Sequence, residues 1–102
     1  FHDTRGLGLA NVLAAFHAGC RQFDASLGGL GGCPYAPGAS GNIVFEDTVF
    51  MFEAMGCKTG IDLDRLVEVR EILARALPGV TLYGAVAKAG LPRNFHPVAE
   101  AA

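Results

Sequence analysis

The sequence predicts an α/β fold, and three patterns along the chain support this prediction. Residues 9–18 repeat apolar side chains with the period of a helix, residues 22–27 alternate with the period of a strand, and residues 43–55 are apolar enough for a buried helix. The order helix, strand, loop, helix is typical of a βαβα unit, and it implies another strand just before Phe1. One strand cannot form a sheet by itself, so partner strands are expected outside these segments.

Helical spacing and capping residues define the predicted helices. The helix over 9–18 carries four apolar residues on one face: Leu9, Val12, Leu13 and Phe16. The helix over 43–55 is followed by a glycine, which commonly ends a helix. Asp62 is a suitable N-cap for a third helix, whose solvated face is expected to hold Asp64, Arg65, Glu68, Arg70, Glu71 and Arg75. A shorter helix is expected within 82–89.

The alternating segment 22–27 has one apolar side and one polar side. The apolar side holds Phe23, Ala25 and Leu27, and the polar side holds Asp24 and Ser26. In an open sheet the polar side faces water, whereas in a closed parallel barrel it faces the axis, close to the catalytic groups.

Residues 28–41 read GGLGGCPYAPGASG, a stretch rich in glycine that also holds two prolines. It is too flexible for regular structure and too long for a simple turn, so it is either a functional loop or a linker. Cys33, Tyr35 and the apolar helix that follows favour the functional loop, because linkers are usually polar and flank independent domains.

The composition excludes several classes of protein. The 102 residues are 51% hydrophobic and 18% charged with a net charge of −2, and the eight Lys and Arg residues do not cluster, so a nucleic-acid partner is not expected. No apolar run approaches the roughly 18 residues of a membrane span, and no signal segment is recognisable, so a membrane protein is not expected either. Three cysteines without a CxxC pair argue against a disulfide framework or a structural zinc site and favour a reducing, cytoplasmic compartment.

Two observations lead us to expect a piece of a larger protein. The first residue is Phe1 rather than methionine, and 14 of the 102 residues are glycine in a chain of high hydrophobic content. A chain of this length is enough for one small domain, but the single strand it shows needs partners.

His2, Asp3 and Thr4 stand just before the first predicted helix, in the position of a strand's carboxyl end. Parallel α/β folds gather their catalytic groups at such ends, which makes these residues candidates for a site. The alternative is that His2 is a frayed terminal residue.

Cys33 and Asn42 are the candidates that the glycine-rich stretch supplies. Cys33 lies among glycines with little side-chain bulk around it, and an exposed thiol there can act as acid, base or nucleophile. Cys20 and Cys57, which follow glycines at helix ends, are interpreted as packing or incidentally exposed residues. Asn42 opens the predicted helix and is either its N-cap or a ligand of a hard divalent cation such as Mg²⁺ or Mn²⁺.

Three motifs together carry a family resemblance: HDTRGLGLAN, FDASLGGLGGCPYAPGASGN and EDTVFMFEAMGCKTGIDL. From His2 to about Leu77 the chain resembles the C-terminal part of the hydroxymethylglutaryl-CoA lyases, metal-dependent lyases built on a TIM barrel. The resemblance implies the end of barrel strand 7, helix 7, strand 8 over 22–27, a glycine-rich catalytic loop, helix 8 and C-terminal helices. Residues 1–78 are then the C-terminal part of the lyase domain, and 79–102 are a tail with a short helix.

The resemblance also implies a site. His2 and Asn42 correspond to two ligands of one divalent cation, Mg²⁺ or Mn²⁺, and Cys33 corresponds to the family's general acid/base. The other ligands, a second histidine and an aspartate of an Arg-Asp pair on the first strand, would lie before Phe1. Residues expected to line the substrate or its loop are Gly31, Gly32, Asp3 and Thr4.

The implied reaction is a retro-Claisen cleavage of 3-hydroxy-3-methylglutaryl-CoA (HMG-CoA) to acetyl-CoA and acetoacetate, a step of leucine degradation and ketone-body metabolism. The expected partner is an acyl-CoA, and the full-length protein is expected to be a homodimer. Two alternatives stay open: a lyase for a related branched acyl-CoA such as citramalyl-CoA, and a noncatalytic fragment that associates with other chains. A thiol redox module based on Cys33 is disfavoured, because no resolving cysteine lies nearby.

Overall fold

Four α-helices account for most of the regular structure in residues 1–31 and 41–98, the part of the chain that this computed structural model describes. A short 3₁₀ turn, Leu27–Gly29, lies between the first two helices and is called the 27–29 turn below. The helices in chain order are α1 (Gly8–His17), α2 (Phe45–Ala54), α3 (Leu63–Ala76) and α4 (Ala85–Ala89).

The helices predicted from apolar spacing are present, with small shifts at their ends. Helix α1 begins and ends one residue earlier than predicted, and Asp62 caps α3 by accepting a 3.2 Å hydrogen bond from the backbone N–H of Arg65. Helix α2 begins two residues later than predicted, because Val44 has extended backbone angles and pairs with Ser26.

The strand predicted over 22–27 is wrong for the described residues. The β-bridges in the ranges 1–31 and 41–98 are isolated ones: Ser26 pairs parallel to Val44, and His2 pairs antiparallel to Asn42. A strand needs a partner that runs beside it, and these segments offer single residues for pairing. The chain also leaves the extended conformation at Leu27, where the 27–29 turn begins and Gly28 takes a φ of 61°.

The core lies between α1 and α2. Val12 from α1 and Phe52 from α2 are buried together with Ile43, and partly buried side chains, including Phe23 and Ala25, pack against this cluster. Phe52 stacks its ring within 5.5 Å of Phe23, measured between ring centroids. The side of the 22–27 segment predicted to be apolar therefore does face the core, although the segment is not a strand.

The tail is attached to α2 and to the 27–29 turn. Asp47, in the first turn of α2, accepts 2.9 Å hydrogen bonds from the backbone N–H groups of Ala85 and Val86. These N–H groups lie in the first turn of α4 and have no acceptor within the helix, so the Asp47 carboxylate caps α4. The helix therefore begins at Ala85, within the predicted range 82–89. None of the helices within 1–31 and 41–98 is long and apolar enough to cross a membrane.

Candidate functional site

The structure brings His2 and Asn42 together as an antiparallel pair. Two backbone hydrogen bonds flank them, from Asp3 N to Gly41 O at 3.0 Å and from Ile43 N to Phe1 O at 3.3 Å. This arrangement makes His2 and Asn42 a non-hydrogen-bonded pair, the type in which opposing side chains share one face of the ladder and lie closest. The backbone of His2 is thus held on both sides, which argues against a frayed terminal residue.

The side-chain amide of Asn42 is oriented by two acceptors. Its Nδ2 donates to Ser26 Oγ at 3.1 Å and to the carbonyl oxygen of Leu30 at 3.5 Å. Asn42 is not the N-cap of α2, because that helix starts at Phe45 and Val44 is its N-cap. The N-cap interpretation is therefore wrong, and the two acceptors of Nδ2 fix the orientation of the Asn42 amide.

Asp3 and Thr4 lie half-buried beside this pair. Asp3 Oδ1 accepts a 2.9 Å hydrogen bond from the backbone N–H of Gly8, the first residue of α1. The carboxylate therefore satisfies a free N–H group at the helix N-terminus and fixes α1 relative to the His2 segment.

Gly31 and Gly41, which flank residues 32–40, lie against each other. A Cβ atom on Gly41 would be 2.5 Å from the carbonyl oxygen of Gly29 and 2.8 Å from that of Gly31, so only glycine permits this approach. A Cβ atom on Gly31 would be 3.4 Å from Asn42 Nδ2. Gly32 and Cys33, the other two residues predicted for this loop, lie outside the described residues.

A buried ion pair next to this site was missed by the sequence interpretation. Glu46, which has no exposed side-chain surface, accepts hydrogen bonds from the backbone N–H of Gly28 at 3.0 and 3.2 Å. Arg70 donates to Glu46 Oε2 at 2.6 Å, and its side chain is 14% exposed. The assignment of Arg70 to a solvated helix face is therefore wrong. The available signal was a carboxylate, Glu46, within the apolar stretch 43–55.

Replacing Gly28 with alanine is expected to destabilise the fold more than the same change at Gly60. Both glycines have positive φ, 61° and 77°, but a Cβ on Gly28 would be 2.9 Å from Leu82 Cδ2, while nothing lies within 4 Å of a Cβ on Gly60. We expect Gly28→Ala to cost about 1–3 kcal/mol of unfolding free energy and Gly60→Ala less. Urea unfolding of the full-length protein measures both, and equal losses would contradict the role of the Leu82 contact.

The donor atoms of the pair suit a divalent cation. An imidazole nitrogen of His2 and the amide oxygen of Asn42 are ligands that Mn²⁺ accepts, and the amide oxygen also suits Mg²⁺. Within 1–31 and 41–98, no group of three or more His, Cys, Asp or Glu side chains is close enough to hold a metal ion. The two residues therefore fit one side of a cation site that needs further ligands.

A comparison with protein families decides the family. The family profile described as HMGL-like matches residues 1–73. The chain belongs to the HMGL-like family. This agrees with the resemblance that the three sequence motifs carry.

Curated HMGL-like relatives have about half of their aligned residues in common with this chain. It is 49% identical over 86 residues to hydroxymethylglutaryl-CoA lyase YngG of Bacillus subtilis, which covers 80% of the chain and 29% of that protein. It is 51% identical over 89 residues to the (R)-citramalyl-CoA lyase of Chloroflexus aurantiacus, which covers 87% of the chain and 28% of that protein. The chain thus spans less than a third of these HMGL-like proteins.

Solved structures show the same fold over this part of HMGL-like proteins. An HMG-CoA lyase from Acinetobacter baumannii, in complex with coenzyme A and 3-methylmalate, matches with a TM-score of 0.81 and 56% identity over 97% of this chain and 32% of that one. The Bacillus subtilis HMG-CoA lyase matches with a TM-score of 0.80 and 45% identity over 86% of this chain and 29% of that one. The arrangement of α1 to α4 is therefore that of about a third of an HMG-CoA lyase.

Proposed function

We propose that this chain is the C-terminal part of a TIM-barrel lyase that cleaves HMG-CoA to acetyl-CoA and acetoacetate. The observation that carries the proposal is the His2–Asn42 pair, with the Asn42 amide held by Ser26 and Leu30. Its position at the end of the Cys33 loop adds support, and so do relatives named hydroxymethylglutaryl-CoA lyase at 49% identity or more. The Acinetobacter baumannii relative in complex with coenzyme A supports an acyl-CoA substrate.

In this proposal His2 and Asn42 bind one divalent cation, Mg²⁺ or Mn²⁺, together with ligands outside the chain. When bound, such a cation supplies Lewis-acid chemistry, which favours loss of the proton from a tertiary hydroxyl. The residues of this chain orient the cation-binding groups. The amide of Asn42 is held by its contact with Ser26 before the cation binds, so little reorganisation of the side chain accompanies cation binding.

Cys33 is the proposed proton donor of the cleavage. A base takes the proton of the substrate's tertiary hydroxyl, the oxygen becomes the ketone of acetoacetate, and the carbon–carbon bond breaks. Its electron pair passes to the departing thioester, which becomes an enolate. The Cys33 thiol then gives its proton to the enolate carbon, and acetyl-CoA results. The loop that carries Cys33 leaves and rejoins the described structure at Gly31 and Gly41, beside Asn42.

A second substrate is favoured by one comparison. The 51% identity to an (R)-citramalyl-CoA lyase extends over 89 residues, as far as the identity to the HMG-CoA lyases does. Citramalyl-CoA has a tertiary hydroxyl in the same relation to the bond that breaks, so the roles proposed for His2, Asn42 and Cys33 carry over unchanged.

The free thiols Cys20 and Cys57 support a reducing, cytoplasmic location.

Acyl-CoA cleavage by the full-length protein tests the proposal. We expect HMG-CoA to be cleaved with Mg²⁺ or Mn²⁺, and the Asn42→Ala variant to need at least about tenfold more metal for half-maximal rate, because a ligand is lost. Asn11→Ala is the control, since Asn11 is an exposed asparagine on α1. Cleavage of citramalyl-CoA in preference to HMG-CoA would select the second substrate. Absence of cleavage of either acyl-CoA with either metal would contradict the proposed lyase activity.

A further inference from the structure

Four contacts form a closed ring next to the Asn42 site, which we call the Glu46 ring. The backbone N–H of Gly28 donates to Glu46, and Arg70 Nη1 donates to the same carboxylate at 2.6 Å. Arg70 Nη1 also donates to the carbonyl oxygen of Tyr83, and Tyr83 N donates back to the carbonyl oxygen of Gly28 at 2.7 Å. The ring therefore joins the 27–29 turn, α2, α3 and the segment just before α4.

The charges in this ring are almost entirely removed from water. Glu46 has no exposed side-chain surface, and the side chain of Arg70 is 14% exposed. A buried pair of this kind stabilises a fold weakly, because the cost of desolvating both charges offsets their attraction. It does fix geometry, since Glu46 accepts from both Gly28 N–H and Arg70, and Arg70 Nη1 donates to both Glu46 and the carbonyl oxygen of Tyr83. The pair is thus suited to holding the 27–29 turn in place.

The turn held by the Glu46 ring is the same turn that orients Asn42. Gly28 is its middle residue, and the two acceptors of the Asn42 amide, Ser26 Oγ and the carbonyl oxygen of Leu30, stand at its two ends. Leu82 packs on Gly28 from the segment before α4, within 3.2 Å of where a Cβ would be. A rotation of the turn would therefore move both acceptors and turn the amide of Asn42.

We propose that Glu46 and Arg70 are positioning residues for Asn42. They hold the 27–29 turn so that Ser26 and Leu30 keep the amide nitrogen and leave Oδ1 directed at the cation. This inference rests on the proposed function, because it assumes that Asn42 is a cation ligand. It makes α3 and the 80–84 segment part of the machinery that builds the site, although neither supplies a ligand.

Mn²⁺ affinity of the full-length protein tests the inference without an activity assay. Free Mn²⁺ is measured by electron paramagnetic resonance during a titration, for the wild type and for Arg70→Met. We expect Arg70→Met to bind Mn²⁺ roughly 10- to 100-fold more weakly, the size of effect seen when a group that orients a ligand is lost. Arg65→Met is the matched control on the same helix: its side chain is 84% exposed and its contact with Asp62 is 3.8 Å long, so wild-type affinity is expected.

A second variant covers the case in which Arg70→Met does not fold. Glu46→Gln keeps the size of the side chain and an acceptor for Gly28 N–H but removes the charge, and it too is expected to weaken Mn²⁺ binding. Wild-type Mn²⁺ affinity in both variants would overturn the positioning role of Glu46 and Arg70 and leave the proposed cation site standing, even if the melting temperatures of the variants fall. If Arg70→Met does not fold, wild-type affinity in Glu46→Gln has the same meaning. A wild-type protein that binds no Mn²⁺ would overturn the proposed cation site and the inference together.

Discussion

Replacing Cys33 with alanine in the full-length protein is expected to lower kcat by about 10²- to 10⁴-fold, the range that one general acid or base contributes. The physical reason is that the enolate released by bond cleavage needs a proton at carbon, and alanine offers none. Cys33→Ser replaces the thiol with a hydroxyl of similar size, but a hydroxyl is a much weaker acid than a thiol, so a strong loss of kcat is expected for this variant too. Initial rates of acyl-CoA cleavage at saturating metal measure both variants.

Metal affinity separates this role from a structural one. Cys33 is not among the proposed ligands, so Cys33→Ala is expected to bind Mn²⁺ as the wild type does, whereas Asn42→Ala is not. Cys20→Ala is the control for the removal of a thiol, because Cys20 is exposed and its Sγ donates to the nearby carbonyl oxygen of Gln22, at 3.3 Å. Turnover of Cys33→Ala within a few-fold of the wild type would remove Cys33 from the mechanism.

The parts of the fold that depend on local chemistry could be predicted from the sequence. Helix α1 follows from the apolar spacing of four residues, and the start of α3 follows from Asp62, whose carboxylate reaches an N–H group three residues on. The conformation of residues 22–27 could not be predicted in the same way, and the strand expected there is wrong. Its alternation sets which side chains face the core, but pairing depends on a neighbouring segment that alternation does not describe.

The residues of the candidate site also differ in whether the sequence could identify them. His2 and Asn42 stand at the ends of predicted elements, so the sequence identified them as candidates, and the structure pairs them. Their role as cation ligands is what the resemblance implies. Glu46 and Arg70 are 24 positions apart, and an arginine on a helix rich in charged residues has the pattern of a solvated face. Such a long-range partner leaves no local signal, because the contact exists only after α2 and α3 have packed.

The Glu46–Arg70 pair is expected to give unequal losses of stability when one partner or both are replaced. Arg70→Met leaves a carboxylate without exposed surface and without its cation, and breaking a buried pair in this way costs about 3–5 kcal/mol of unfolding free energy. The double replacement Glu46→Leu with Arg70→Met leaves no buried charge. It loses the acceptor for Gly28 N–H instead, for which about 1–3 kcal/mol is expected. Urea unfolding of the full-length proteins measures these values.

The double replacement also separates stability from positioning. If the Glu46 ring serves only the fold, Mn²⁺ affinity should recover together with stability when the second substitution is added. If the ring orients Asn42, the double variant regains stability but still binds Mn²⁺ weakly, because Gly28 N–H has lost its acceptor and, of the four contacts in the ring, only the one between Tyr83 N–H and Gly28 O remains. The charge-burial argument predicts that the double variant is more stable than Arg70→Met, because the buried carboxylate without a cation is gone. A double variant less stable than Arg70→Met would contradict that argument.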